Sequence, residues 1–173
     1  MRRVVTFLAI AALSLFVRSA AAETKVTVSG THLCCGACVK AVDTTLKDMS
    51  GVKFKSDQGA KTIEITADSD AAAQKAIDAL AAAGFYGKLD NDKIKYKAVA
   101  ADDAAAEKIE VTGIHNCCGQ CTSAIKKAVT SVTGVTGTNI KNKDTTFAVE
   151  GKFKSSDVVK ALLDAGFYAQ VKK

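Results

Sequence analysis

The chain has 173 residues, of which 24 are Lys or Arg and 18 Asp or Glu, with six cysteines, two histidines and no proline. Its lysines are interspersed with acids, which excludes the basic footprint of a nucleic-acid binder. After the N-terminal apolar run, no stretch is long enough to span a bilayer.

Residues 1–22 read as an export signal. Arg2 and Arg3 form a basic start, an apolar run follows from Val4 to Val17, and Ala20-Ala21-Ala22 offers a small-residue cleavage site. The alternative is an uncleaved N-terminal anchor. Removing the segment takes the basic count from 24 to 21 against 18 acids, a mild +3. The mature protein is then expected in the periplasm or outside the cell.

The remainder is one unit written twice. Val26-Thr-Val-Ser-Gly30 returns as Ile109-Glu-Val-Thr-Gly113 at an offset of 83, and Ala83-Gly-Phe-Tyr86 returns as Ala165-Gly-Phe-Tyr168 at an offset of 82. Each copy opens on an alternating strand, Lys25–Ser29 and Lys108–Thr112. A helix follows, marked by Val39, Val42, Leu46 and Met49 in one copy and by Thr122, Ile125, Val129 and Val132 in the other. Gly51 and Gly134 stand where left-handed caps belong.

Two strands are expected next, Val52–Ser56 with Thr62–Thr66, and Val135–Ile140 with Thr145–Val149. Second helices start after the caps Asp70 and Ser155 or Ser156, and end at Gly84 and Gly166. A last strand is expected from Phe85 and from Phe167. The order β-α-β-β-α-β predicts an α+β chain of two tandem ferredoxin-like sandwiches. The units are read as residues 23–91 and 107–173. Between them, residues 92–106 form a linker with room for an extra strand at 93–99, and such tethered units usually move independently.

All six cysteines and both histidines fall in two copies of His-x-Cys-Cys-Gly-x-Cys: His32, Cys34, Cys35, Cys38 and His115, Cys117, Cys118, Cys121. Thiolate and imidazole are the donors that soft and borderline metals prefer. Cys35 and Cys38 are spaced i, i+3 at the start of the first helix, as are Cys118 and Cys121, so each pair can face one point. The helix N-terminus there favours thiolate over thiol. Gly36 and Gly119 are expected to let the backbone come close to the site.

The run Val-x-Gly, Cys-x-x-Cys, Val39-x-x-Val42-x-x-x-Leu46 and Ala-Gly-Phe-Tyr resembles the heavy-metal-associated domain, found in copper chaperones, in metal-pumping P-type ATPases and in periplasmic mercury-binding proteins. The resemblance covers nearly all of the mature chain, twice. It implies that Cys35, Cys38, Cys118 and Cys121 are metal ligands, and that Phe85 and Phe167 lie near the metal loop. The loop departs from the family pattern: Gly30 and Gly113 sit five residues ahead of Cys35 and Cys118, no methionine is present, and Cys34, Cys117, His32 and His115 are additional candidate ligands.

By the resemblance Cu(I) comes first, ahead of Zn(II), Hg(II) or Cd(II). A Cys₃His set would be an ordinary tetrahedral zinc arrangement, whereas two or three sulfurs suit Cu(I) or Hg(II). The expected protein is not an enzyme. It binds one ion per unit through shallow, solvent-facing thiolates and hands it by ligand exchange to another metal-transfer protein or a membrane metal transporter. Sequestration, with metal clamped between the units, is the variant of this reading.

The rivals are structural disulfides and thiol–disulfide exchange. Three cysteines per unit leave one over from any pairing inside a unit. Without proline the chain lacks the cis-proline of thioredoxin-like sites. Haem attachment is excluded because Val39 and Thr122, not histidine, follow the second cysteine of each Cys-x-x-Cys.

Overall fold

The computed structural model describes residues 22–101 and 103–172. The expected export signal therefore lies outside the described residues, save Ala22. Among the described residues no helix is long and apolar enough to cross a membrane.

The first unit runs β1 (Thr24–Ser29), α1 (Gly36–Leu46), β2 (Val52–Asp57), β3 (Thr62–Ala67), α2 (Asp70–Ala82) and β4 (Lys88–Leu89). The second repeats it as β5 (Ala105–Thr112), α3 (Gly119–Thr130), β6 (Val135–Thr138), β7 (Thr146–Lys154), α4 (Ser155–Asp164) and β8 (Gln170–Lys172). Each unit forms an antiparallel sheet, ordered β2-β3-β1-β4 and β6-β7-β5-β8. The chain is α+β, two ferredoxin-like sandwiches in tandem.

Alternation sets the register. Val26 lies opposite Ile65 and Val28 opposite Ile63, all buried, while the residues between them face away from the helices. Val42 and Leu46 of α1 and Ile77 and Leu80 of α2 close the first core. Ile125 and Val129 of α3 and Val158 and Leu162 of α4 close the second. The buried face of α1 begins one turn earlier than Val42, at Cys38, which is 0% exposed, and Cys121 takes the same place in α3. Val39 is only half-buried.

Several local expectations are corrected. Ser69, not Asp70, caps α2, its hydroxyl accepting from the Ala72 N–H at 3.2 Å, and Asp70 is the first helical residue. At α4 the cap position is Lys154, with Ser155 already inside the helix. β7 extends past Val149 to Lys154, and β5 starts at Ala105, so the two pair over a longer ladder with a bulge between Ala106 and Lys108.

Residues 93–99 form no strand; they run as an irregular strap. The Gln74 side chain donates to the Lys95 carbonyl at 2.8 Å and accepts from the Lys95 N–H at 3.1 Å, which satisfies backbone that a strand would have paired. Ile94 is buried, and Tyr96 lies between Tyr86 of the first unit and Tyr168 of the second, with ring centroids 4.6 and 6.0 Å apart. The Tyr168 hydroxyl donates to the Lys97 carbonyl at 2.9 Å. The two units are therefore not merely tethered; the strap is wedged between them.

Nor do the last strands begin at Phe85 and Phe167. These two residues pair with each other, as an antiparallel bridge between the units. Around it the Tyr168 N–H donates to the Gly84 carbonyl at 3.0 Å and the Tyr86 N–H to the Gly166 carbonyl at 3.2 Å. The repeated Ala-Gly-Phe-Tyr segment is thus the seam where the copies meet.

Candidate metal centre

The seam brings the two cysteine loops face to face. Each loop leaves its first strand through Gly30 or Gly113, crosses the end of the other unit, and enters a helix capped by Cys35 or Cys118 in extended backbone conformation. In the second unit Asn116 braces the loop: its amide donates to the carbonyls of Lys141 and Asp144 at 2.9 and 3.0 Å, and it accepts from the Thr122 hydroxyl at 2.8 Å. The first unit has Leu33 at the matching place, fully buried, with Gln58 donating to the Cys34 carbonyl at 3.3 Å.

The sulfurs of both units form one cluster. Within the units Cys34–Cys38 and Cys117–Cys121 are 3.6 and 3.7 Å apart, and Cys35–Cys38 and Cys118–Cys121 both 3.8 Å. Across the units Cys34–Cys121 and Cys38–Cys117 are both 3.5 Å. Cys34–Cys118 is 3.7 Å, while Cys35–Cys117, Cys35–Cys118 and Cys38–Cys121 are each 3.8 Å. All six thiols are free. Neighbouring sulfurs around a tetrahedral zinc with 2.3 Å bonds lie about 3.8 Å apart, so the spacing is that of a metal-thiolate set.

The thiols are not shallow. Cys38 and Cys121 are completely buried and the other four half-buried, facing the opposite unit rather than open solvent. The sulfurs of the two units thus meet across the seam instead of lying open on separate surfaces.

Each histidine lies against the opposite unit's aromatic ring. His32 stacks on Phe167 and His115 on Phe85, both with centroids 4.3 Å apart. Nε2 of each imidazole is buried without a hydrogen-bond partner. Such an atom costs free energy unless it is satisfied, and a metal ion satisfies it. Burial holds the His32 pKa below the ordinary imidazole range, which keeps the ring in the neutral form that ligates. His115 lies with Cys38, Cys117 and Cys121 in a group whose donor atoms are all within 4.8 Å, and His32 lies likewise with Cys34 and Cys121. Cys34, Cys35 and Cys38 form an all-sulfur group, as do Cys35, Cys117 and Cys118.

The cluster favours a thiolate in places. Cys38 is pulled far down, chiefly by its contact with the Cys121 thiol and against the opposing effect of burial, while the same contact and burial push Cys121 up. Cys118 is lowered to about 7, first through the Cys121 backbone N–H at the start of α3, which is the helix-terminus effect expected from the sequence. Burial raises Cys34, and raises Cys117 to about 12. A cluster of mostly neutral thiols with few ionised sulfurs can lose protons when a cation arrives.

At Gly36 and Gly119 a Cβ would meet no other protein atom within 4 Å. The glycines that a close approach of two backbones requires are Gly84 and Gly166. Both have positive φ, and a Cβ there would lie 2.1 Å from the His115 backbone nitrogen and 2.5 Å from the His32 backbone nitrogen, respectively. The sequence marked them only as helix ends. Their place in a segment repeated almost unchanged was the available signal, as it was for Tyr86 and Tyr168.

No family model matches the sequence. Among solved structures, the chain is similar to the N-terminal soluble domains of Bacillus subtilis CopA, with 21% identity, 88% of this chain and 95% of that one covered, and a TM-score of 0.31. It is also similar to the first two RRM domains of the yeast poly(U) binding protein Pub1, with 11% identity, 86% and 98% covered, and a TM-score of 0.24. Neither overlay is close enough to speak for function. What stands is the donor set itself, six thiols and two imidazoles gathered at one seam and able to hold metal.

Proposed function

We propose that this chain is an exported, non-enzymatic metal-binding protein of the heavy-metal-associated kind, which holds soft or borderline ions between its two units. The observation that carries the reading is the gathering of sulfurs from both units at 3.5–3.8 Å, flanked by two unsatisfied imidazoles. The metal is cargo. Thiolates suit Cu(I), Cd(II) and Hg(II), and the family resemblance favours Cu(I); three sulfurs with an imidazole favour Zn(II).

Burial of Cys38 and Cys121 supports retention over rapid exchange. Release would require the seam to part, after which an acceptor's thiolates could enter as the donor's leave. That acceptor would be another metal-transfer protein or a membrane metal transporter.

One observation favours the redox rival, because thiols of different units are near enough for oxidation to link them. The concealment of Cys38 and Cys121 argues against disulfide exchange with a protein substrate.

The deciding experiment is anaerobic competition of Cu(I) and Zn(II) against chelators of known affinity, with elemental analysis of the reduced mature protein. Uptake of neither ion at micromolar concentration would sink the reading. Catalytic turnover of a disulfide substrate would replace it with the redox one.

A further inference from the structure

Cys38 and Cys121 stand apart from the other sulfurs. They are the two fully buried thiols, they come from opposite units, and they lie 3.8 Å from each other. Cys38, Cys121, Cys117 and His115 together form a complete four-donor set. On the other side, Cys34, Cys121 and His32 form a three-donor group, and Cys38 lies 3.6 Å from Cys34 and 3.8 Å from Cys121. The two sets are related by exchange of the units, and they share one edge, Cys38–Cys121.

Resting on the metal-binding reading above, we infer that the chain binds a pair of divalent ions bridged by the Cys38 and Cys121 thiolates. Cys34 and His32 complete one ion's set, and Cys117 and His115 complete the other's. Charge supports divalent ions here. Four thiolates against two dipositive ions sum to zero, whereas two Cu(I) ions would leave −2 around the two fully buried sulfurs. The all-sulfur groups built on Cys35 fit less well, because they leave both imidazoles orphaned. Cys35 and Cys118 remain outside the shared core, at the helix caps.

Each bound ion thus has ligands from both units, and the first ion fixes both bridging sulfurs for the second. Loading is cooperative. The pair forms at the expense of the singly loaded chain.

The test is native mass spectrometry of the reduced mature chain titrated anaerobically with Zn(II), together with Co(II) loading followed by electron paramagnetic resonance. A two-ion species with little one-ion intermediate is expected. At two equivalents the Co(II) spin signal is expected well below that of two isolated ions, because spins couple through shared sulfur. Cys34→Ser should leave one uncoupled ion, and Cys121→Ser should abolish the coupled pair. Circular dichroism reports whether each variant is folded, and the wild-type spin coupling does not depend on any variant. Saturation at one divalent ion, or two ions with full uncoupled signal, overturns the bridged pair while leaving the metal-binding reading intact. Binding of no divalent ion overturns the pair, and the metal-binding reading falls with it only if Cu(I) is refused as well.

Discussion

Phe85 of the first unit carries the imidazole of His115 from the second, with centroids 4.3 Å apart and the planes inclined by 28°. The same aromatic residue that fills one core thereby orients a donor of the other unit. Phe85→Ala should cost about 3–5 kcal/mol of stability from cavity formation. It should also weaken metal binding at the His115 side more than at the His32 side. Denaturant unfolding of the metal-free protein and titration of the loaded protein separate the two effects.

Acid should loosen the metal-free seam. The folded-state pKa of His32 lies below its ordinary value of 6.5, because burial opposes the charged ring. Its contribution to stability is therefore complete above about pH 6.5, and is lost as pH falls below that value and through the folded pKa. Urea midpoints measured from pH 8 to 5 should decline over that window in the wild type and decline less in His32→Gln. Equal slopes in the two would remove His32 as the cause.

Gly84→Ala and Gly166→Ala should part the units. A left-handed conformation costs a side-chain-bearing residue about 1–2 kcal/mol, before any clash. The clash itself is with backbone that cannot swing aside, since the new Cβ would press on the cysteine loop of the other unit. Small-angle scattering should show a larger radius of gyration in the double variant with each unit still folded. An unchanged radius would show that the seam has room to give.

Tyr96→Ala should release the strap. The ring lies between Tyr86 and Tyr168, and burial pushes its hydroxyl pKa up. Its removal is expected to cost about 1–3 kcal/mol. The readout is hydrogen exchange, which should rise across residues 93–99 and at the Tyr86 and Tyr168 amides while the strands stay protected.

Much of this was legible in the chain. Alternation in β1 and β5, helical spacing after each cysteine loop and the 83-residue repeat yield both sheets and all four helices. The histidine-and-cysteine clusters were recognisable as one kind of chemistry. What stayed hidden was the meeting of the copies. Periodicity reports which face of an element is buried, not what buries it, so Phe85 and Phe167 read as the first residues of a strand. The strap was hidden for a related reason: the alternation in Lys93–Val99 is the same whether Tyr96 packs beside a sheet or between two domains. Cys38 and Cys121 read as ligands at a helix start, although each also holds the first core position of its helix.

Joining the copies in one polypeptide changes how the seam responds to dilution. Two separate subunits making the same antiparallel bridge through Phe85 and Phe167 would fall apart as their concentration dropped. A short covalent connection holds the partner at an effective concentration of about millimolar, whatever the bulk amount. At any dilution the chain thus keeps its six thiols and two imidazoles assembled, and the seam's integrity does not depend on its own abundance.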